Sequence, residues 1–108
     1  MQQGNLFANV DATSAASEKE RVEELFASDH VRIERIISRG QTAPASGWYD
    51  QAEDEWVALV AGEARIQFEG AEMVTLRPGD WLLIRARQKH RVSFTSTDPA
   101  CIWLAIHA

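Results

Sequence analysis

The 108-residue chain has a single cysteine, Cys101, and this excludes an internal disulfide framework. It also lacks any apolar run near the length of a membrane span. Basic residues are in the minority, with 11 Lys and Arg against 16 Asp and Glu, so neither nucleic acid nor an anionic membrane is expected as a partner. The N-terminus has neither the basic nor the apolar region of a secretory signal, and the expected location is therefore the cytoplasm.

The first 30 residues are polar and mixed, and they contain one helical signal. Ser17 and Glu20 have the spacing of a capping box. The apolar residues that follow recur at helical spacing, and they are Val22, Leu25 and Phe26. We therefore predict a short amphipathic helix over about residues 18–27, where it would cover one end of the core.

From residue 31 onward, short apolar runs alternate with turn residues. The runs cover residues 31–38, 55–61, 64–69, 72–77, 81–85, 90–96 and 101–107. Short strands at this spacing are typical of an antiparallel sandwich or barrel, and no helix pattern interrupts them. We predict an all-β fold in one domain, with residues 1–30 as an arm with a short helix and residues 31–108 as a β-barrel.

The first of these strands contains an arginine among apolar neighbours. Alternation places Arg35 on one face with Val31, Ile33 and Ile37. If that face is interior, Arg35 needs an acidic partner or a ligand. The alternative is a bulge that shifts the phase and leaves Arg35 in solvent.

Two polar side chains, Glu55 and His90, stand at the heads of apolar strands. A buried charge is costly unless it is paired or binds a metal. The phase of the strands continues inward from Glu55 as Val57, and from His90 as Val92 and Phe94. We therefore predict that the carboxylate and the imidazole point into one cavity.

These residues and their spacing resemble the cupin family. Glu55, six residues and Gly62 match the end of the first cupin motif, which reads His-x-His, three or four residues, Glu, six residues, Gly. Gly79 and His90 match the second motif, which reads Gly-x5-Pro-x-Gly-x2-His-x3-Asn. The region from Val31 to His107 is thus similar to a small single-domain cupin, and the resemblance implies an antiparallel jelly-roll barrel, or double-stranded β-helix.

The chain departs from this pattern at the two histidines of the first motif. The four-residue spacing puts Trp48 and Asp50 at these positions, whereas the three-residue spacing puts Tyr49 and Gln51 there. The second motif is changed at its proline, glycine and asparagine, which are replaced by Arg85, Arg87 and Phe94. Only two of the four metal ligands implied by the resemblance are therefore identical.

Asp50 is a chemically suitable substitute for a lost histidine, because carboxylate oxygen binds zinc, manganese and iron. Asp50, Glu55 and His90 would then form a one-histidine, two-carboxylate site for a divalent manganese, iron or zinc ion, with open positions. The alternative is structural: Glu55 pairs with an arginine, His90 binds a backbone carbonyl and Asp50 caps a turn. Four further residues are candidates for contact with an organic ligand, and they are Arg35, Trp48, Tyr49 and Gln51.

The tryptophans suggest an interface. Both faces of the strand that begins at Glu55 are apolar, so one face can fill the barrel and the other needs a cover. We predict a homodimer through an outer sheet face that includes some of Trp56, Trp81 and Trp103. His107 shares the face of Trp103, and we expect it at a surface or interface rather than as a ligand.

Two classes of function fit these observations. One is a metal-dependent cupin enzyme acting on a small organic molecule, such as a dioxygenase, an isomerase or a decarboxylase, in which the metal serves as a Lewis acid or activates water or oxygen. The other is a non-catalytic cupin that binds a small molecule, with metal weak or absent. The depleted histidine set favours the second class more than the fold alone would.

Overall fold

The computed structural model describes residues 1–12 and 19–108. Within them, eight strands follow a short 3-10 helix at Val10–Ala12, and they are β1 (Arg21–Ala27), β2 (Arg32–Ser38), β3 (Glu55–Ala61), β4 (Ala64–Phe68), β5 (Met73–Leu76), β6 (Trp81–Ile84), β7 (His90–Thr95) and β8 (Cys101–His107). They form a five-stranded sheet of order β1-β2-β8-β3-β6 and a three-stranded sheet of order β5-β4-β7. All pairings between them are antiparallel, and the prediction of an all-β cupin-type fold is confirmed.

The core lies between the two sheets. Alternate residues of each strand point inward, so that the apolar side chains of one sheet pack against those of the other. The buried cluster consists of Val57, Leu59, Ala64, Ile66, Leu76, Ile84, Cys101, Trp103 and Ala105. Burial of this cluster is the main favourable contribution to folding.

The turn after β3 carries the chain from the larger sheet to the smaller one, and it requires a glycine. Gly62 has a φ of +86°, in the left-handed region. A Cβ atom at this position would lie 2.8 Å from the carbonyl oxygen of Ala100 and 2.8 Å from the Cα atom of Cys101. Backbone conformation and close packing against β8 therefore both exclude a side chain here.

The predicted helix over residues 18–27 is wrong where the structure describes it, because residues 21–27 form β1. Val22 and Glu24 pair with β2, and a bulge between Glu24 and Phe26 adds one residue, Leu25. The bulge breaks the alternation of the strand and gives its apolar residues a helix-like spacing. Ser17 and Glu18, which belong to the predicted cap and first turn, lie outside the described residues. No helix within residues 1–12 and 19–108 has the length and apolar character to cross a bilayer.

Arg35 lies on the outer face of β2 and is covered by the N-terminal arm. Its Nε donates to a carboxylate oxygen of Glu23 at 2.8 Å, and its Nη1 donates to the carbonyl oxygens of Leu6 and Ala8 at 3.0 and 2.6 Å. The residue is only 5% exposed. Arg35 therefore does not face the barrel interior, where a ligand contact had been predicted, and it is not solvated either.

Candidate ligand-binding cavity

A cavity of about 260 Å³ lies between the sheets, with one apolar and one polar part. Its apolar wall is formed by Val22, Ile36, Val57, Ile66, Ile84, Val92 and Trp103. Its polar residues are Glu20, Arg32, Glu34, Tyr49, Gln51, Glu55, His90 and His107. The register of the larger sheet creates the polar part, because Arg32 is paired with His107 and His107 with Glu55 on adjacent strands. Paired residues present their side chains on the same face of a sheet.

Glu55 and His90 meet in this cavity, as the phase of their strands predicts. The Nε2 atom of His90 lies 3.6 Å from Oε1 of Glu55, and both residues are less than 10% exposed. The Nδ1 atom lies 2.8 Å from the carbonyl oxygen of Gln88, and it must carry a proton to donate there. Burial lowers the pKa of His90, but the contact with Glu55 and the bond to the Gln88 carbonyl outweigh burial, and the pKa is raised.

A second acid–imidazole pair lies on β2 and β8. The Nε2 atom of His107 lies 3.1 Å from Oε1 of Glu34, and His107 is 4% exposed. Among the described residues, Nδ1 of His107 has no hydrogen-bond partner although it is buried. Arg32 donates from Nε to the other carboxylate oxygen of Glu34 at 3.2 Å and from Nη1 to Glu53, also at 3.2 Å.

A hydrogen-bonded chain joins Glu20 to the cavity wall. The indole Nε1 of Trp103 donates to Oγ of Ser38 at 3.1 Å, and Ser38 donates to Oε2 of Glu20 at 3.0 Å. Burial raises the pKa of Glu20; the bond from Ser38 opposes this, and the charges of Glu55 and Glu34 add to it. Trp103 is 3% exposed and belongs to the cavity, so it cannot be part of the outer face for which it was a candidate.

The segment before β3 places alternate residues inside and outside the cavity. Tyr49 and Gln51, two of the predicted ligand contacts, line it. Burial and the charges of the three cavity glutamates raise the pKa of Tyr49 to about 12. Trp48 and Asp50 do not line it: the guanidinium of Arg91 stacks 4.5 Å from the Trp48 ring centroid, and Asp50 faces Nη1 of Arg87 at 3.5 Å.

The structure therefore does not bring Asp50 to Glu55 and His90. Of the two alignments with the first cupin motif, the geometry favours the three-residue spacing, which puts Tyr49 and Gln51 at the inward positions. Within the described part of the chain, no group of three or more His, Cys, Asp or Glu side chains is placed to hold a metal ion. The described residues do not fit the predicted three-ligand metal centre.

Sequence reasoning missed Glu20, Glu34 and His107 as cavity residues. Alternation does place Glu34 on the face of Ile36 and His107 on the face of Trp103. Both faces of β2 carry apolar residues, however, and the pattern does not say which of them is interior. The alternation in the sequence was therefore informative, but the position of β2 between β1 and β8 is needed to tell which face of the strand is interior.

Comparison with known proteins places the chain among proteins of this fold. Residues 36–107 match the family described as the cupin domain. A solved structure from Ralstonia eutropha JMP134, named as a candidate mannose-6-phosphate isomerase, is 41% identical, with a TM-score of 0.89 and coverage of 100% of this chain and 98% of that one. A cupin superfamily protein from Desulfitobacterium hafniense DCB-2 is 20% identical, with a TM-score of 0.74 and coverage of 99% and 93%.

A curated relative shares a shorter stretch. It is the RCS-specific HTH-type transcriptional activator RclR of Escherichia coli K12, which is 36% identical over 47 residues. The match covers 44% of this chain and 16% of the activator. The chain thus spans only a small part of the length of that protein.

Proposed function

The chain belongs to the cupin family, and from that premise we propose that it binds a small organic ligand in its barrel cavity. The observation that carries the proposal is the cavity itself, in which an apolar wall faces a cluster of polar side chains. Ligand sites commonly combine an apolar lining with a few polar groups that fix orientation. The volume of about 260 Å³ favours a ligand at the small end of the usual range.

The activity attached to the Ralstonia relative does not suit this cavity well. A sugar phosphate carries a dianionic group, and here it would face three carboxylates, those of Glu20, Glu34 and Glu55. Arg32, the arginine among the described lining residues, already bonds to Glu34 and Glu53. Electrostatic repulsion therefore argues against phosphate binding at the polar part of the cavity.

Cavity binding can be tested with a fragment library and NMR, using a variant that narrows the cavity. Val22 is 51% exposed and lines the cavity, so Val22→Trp adds bulk there without repacking the core. Leu25→Trp is the matched control, because Leu25 is 46% exposed on the same strand and does not line the cavity. We expect fragments that shift cavity resonances in the wild type and in Leu25→Trp, but not in Val22→Trp. Absence of any fragment with this pattern would refute cavity binding.

Metal binding is the second candidate, and the proximity of Glu55 to His90 is what favours it. A divalent manganese, iron or zinc ion would need a third protein ligand, and Asp50 would have to leave Arg87 to supply it. The measurement is a titration of the protein with each ion, comparing wild type, His90→Ala and Asp50→Ala. Tight binding that both substitutions weaken would support the Asp50, Glu55 and His90 site. Equal affinity in all three proteins would exclude it.

We also propose that a second copy of the chain covers the outer face of the five-stranded sheet. One row of this face consists of Ile33, Ile106, Trp56 and Leu83 on adjacent strands. Trp56 stacks on Trp81 with centroids 6.0 Å apart, and Trp81 and Leu83 are 59% and 44% exposed. Contiguous exposed apolar surface of this kind marks an interaction site.

The dimer is tested by sedimentation of the wild type and of Leu83→Lys, which buries a charge in the proposed interface. Met73→Lys is the control, because Met73 is 50% exposed on the other sheet. We expect dimers for the wild type and the control and monomers for Leu83→Lys. A monomeric wild type at micromolar concentration would contradict the proposal.

A further inference from the structure

A second hollow, of about 260 Å³, lies between β7 and the segment that precedes β3. Two backbone bridges frame it: Ala43 exchanges hydrogen bonds with Val92, and Tyr49 exchanges hydrogen bonds with His90. Between these bridges the chain runs through five residues on one side but through a single residue of β7 on the other. The loop of residues 44–48 therefore bulges away from β7, and both of its ends are fixed by hydrogen bonds of 2.8 to 3.2 Å.

Arg91 is the single residue of β7 opposite this loop, and its guanidinium is held from two sides. Nε and Nη2 donate to Oε1 of Gln67 at 3.0 and 2.8 Å, and the guanidinium lies 4.5 Å from the ring centroid of Trp48, which belongs to the loop. Arg91 also lines the hollow. Because Gln67 occupies the edge formed by Nε and Nη2, the edge formed by Nη1 and Nη2 keeps donors for another acceptor.

Arg91 has no carboxylate partner within the described part of the chain. The sequence contains nine arginines, and seven of them form ion pairs with Asp or Glu. The other two are Arg65 and Arg91. Arg65 is exposed, so water can solvate its charge, whereas Arg91 is partly buried. Partial burial of a cation without a counter-charge is costly, and a bound anion would offset that cost.

The rest of the lining also suits an anion. Thr42 and Ser46 contribute hydroxyl groups, which can donate hydrogen bonds, and Pro44 and Ala45 contribute apolar surface. No Asp or Glu is among the lining residues that the structure describes. The barrel cavity has the opposite character, because three glutamates line it.

We propose that this hollow binds the carboxylate or phosphate group of a small molecule, through two parallel hydrogen bonds from Nη1 and Nη2 of Arg91. The planar guanidinium fork matches two oxygens of either group, and bonds between ionised partners are the strong ones. Thr42 and Ser46 supply further donors to the same oxygens. The site is separate from the barrel cavity, so the protein would have two ligand sites of opposite charge preference.

Three probes of similar shape test the proposal by NMR titration at neutral pH and constant ionic strength: benzoate, phenyl phosphate and benzamide. We expect benzoate or phenyl phosphate to shift the backbone amide resonances of residues 42–47 and 91–93, and to bind about tenfold or more tightly than neutral benzamide. The tighter of the two anions identifies the group that the site prefers. Equal affinity for benzoate, phenyl phosphate and benzamide, or no shift of these resonances with any probe, would overturn the proposal.

Two variants and a matched control locate the binding. Arg91→Gln should weaken the preferred anion about tenfold or more, because a neutral amide replaces the charged fork. Ala45→Trp, at an exposed position of the loop, should block the hollow and abolish binding while leaving Arg91 in place. Arg65→Gln removes the same charge from the same sheet, where Arg65 stacks on Phe94 and does not line the hollow. We expect it to change the affinity by less than about twofold, since distant exposed charges are screened.

An effect of Arg65→Gln as large as that of Arg91→Gln would overturn the proposal, because the anion would then respond only to the general charge of the sheet. Unchanged binding in Ala45→Trp would overturn it as well. Val22→Trp, which narrows the barrel cavity, should leave anion binding intact. If Val22→Trp abolishes anion binding and Ala45→Trp does not, the anion occupies the barrel, which would refute this site and support the proposed function. Failure of every fragment to bind in the barrel would refute the proposed function alone.

Discussion

Ser38 connects the buried indole of Trp103 to the partly buried carboxylate of Glu20, and its replacement by alanine should have a large and specific effect. The side chain is fully buried, accepts from the indole of Trp103 at 3.1 Å and donates to Glu20 at 3.0 Å. Ser38→Ala therefore removes the acceptor of a buried N–H group and a donor to a carboxylate. Because Ser38→Ala removes little side-chain volume, the change in stability reflects the lost hydrogen bonds more than a newly created cavity.

The size of the effect follows from these two bonds. A buried donor without a partner costs about 1–3 kcal/mol, and a hydrogen bond to a charged group contributes about 1.5–3 kcal/mol. Glu20 is only partly buried, and water can replace some of what it loses. We therefore expect Ser38→Ala to lower the free energy of unfolding by about 2–4 kcal/mol at neutral pH.

Urea unfolding of a double-mutant cycle provides the measurement. Trp103→Phe removes the indole donor, so it should cost less in the Ser38→Ala background than in the wild type, with a coupling of about 1 kcal/mol. Ser46→Ala, at an exposed loop position, is the control and should change stability by less than about 0.5 kcal/mol. A loss below about 1 kcal/mol for Ser38→Ala, or identical costs of Trp103→Phe in both backgrounds, would refute the energetic role of this chain of bonds.

Three further predictions follow from the same geometry. Tyr49 is the only tyrosine in the sequence, so absorbance at alkaline pH reports its ionisation alone. We expect a transition near pH 12 in the folded protein and near the ordinary value of about 10 in urea. A transition near pH 10 in both states would contradict the burial of Tyr49 beside the acids. The stability of Glu20→Gln relative to the wild type should rise as the pH rises above 4.5, because above that pH the wild-type carboxyl ionises more readily in the unfolded chain than at its partly buried native position. A relative gain at acid pH instead would contradict the raised pKa of Glu20. Gly62→Ala should lower the melting temperature more than Gly79→Ala. Both glycines have a positive φ, +86° and +94°, but a Cβ atom at Gly62 would also lie 2.8 Å from neighbouring backbone atoms, whereas one at Gly79 would meet nothing within 4 Å. Equal losses would show that this contact is unimportant.

The strands were predictable where alternation and glycine turns define them. β3 and β8 have the predicted bounds, and Glu55 and His90 share a cavity because both start strands whose inward phase is clear. Where a bulge intervenes, the prediction fails. The β4–β7 register shifts so that Arg65 pairs with Phe94 and Ile66 with Val92, and Phe94 is 37% exposed although its phase predicted an inward side chain.

The polar part of the cavity was harder to predict, for a physical reason. At Arg35 and its neighbours both faces of β2 are covered, one by the barrel core and one by the arm, and the two coverings look alike in a hydrophobic pattern. From the sequence, Arg35 and Glu34 were therefore equally good candidates for the charged side chain that faces the barrel interior. The pairing of Glu34 with Ala105, and its contact with His107, show that Glu34 is the one that faces the cavity.

The bonds of Arg35 to the N-terminal arm have a practical consequence for handling the protein. Met1 is fully exposed, so an affinity tag can extend from that end without disturbing the sheet. Removal of residues 1–9 would instead take away the carbonyl oxygens of Leu6 and Ala8 and uncover a guanidinium that is now 5% exposed. Trimming the chain to residues 36–107, the part that matches the cupin domain, would go further and remove β1, most of β2 and Arg35 itself. Much of the edge of β8 would then be unpaired, and an unpaired sheet edge is prone to self-association.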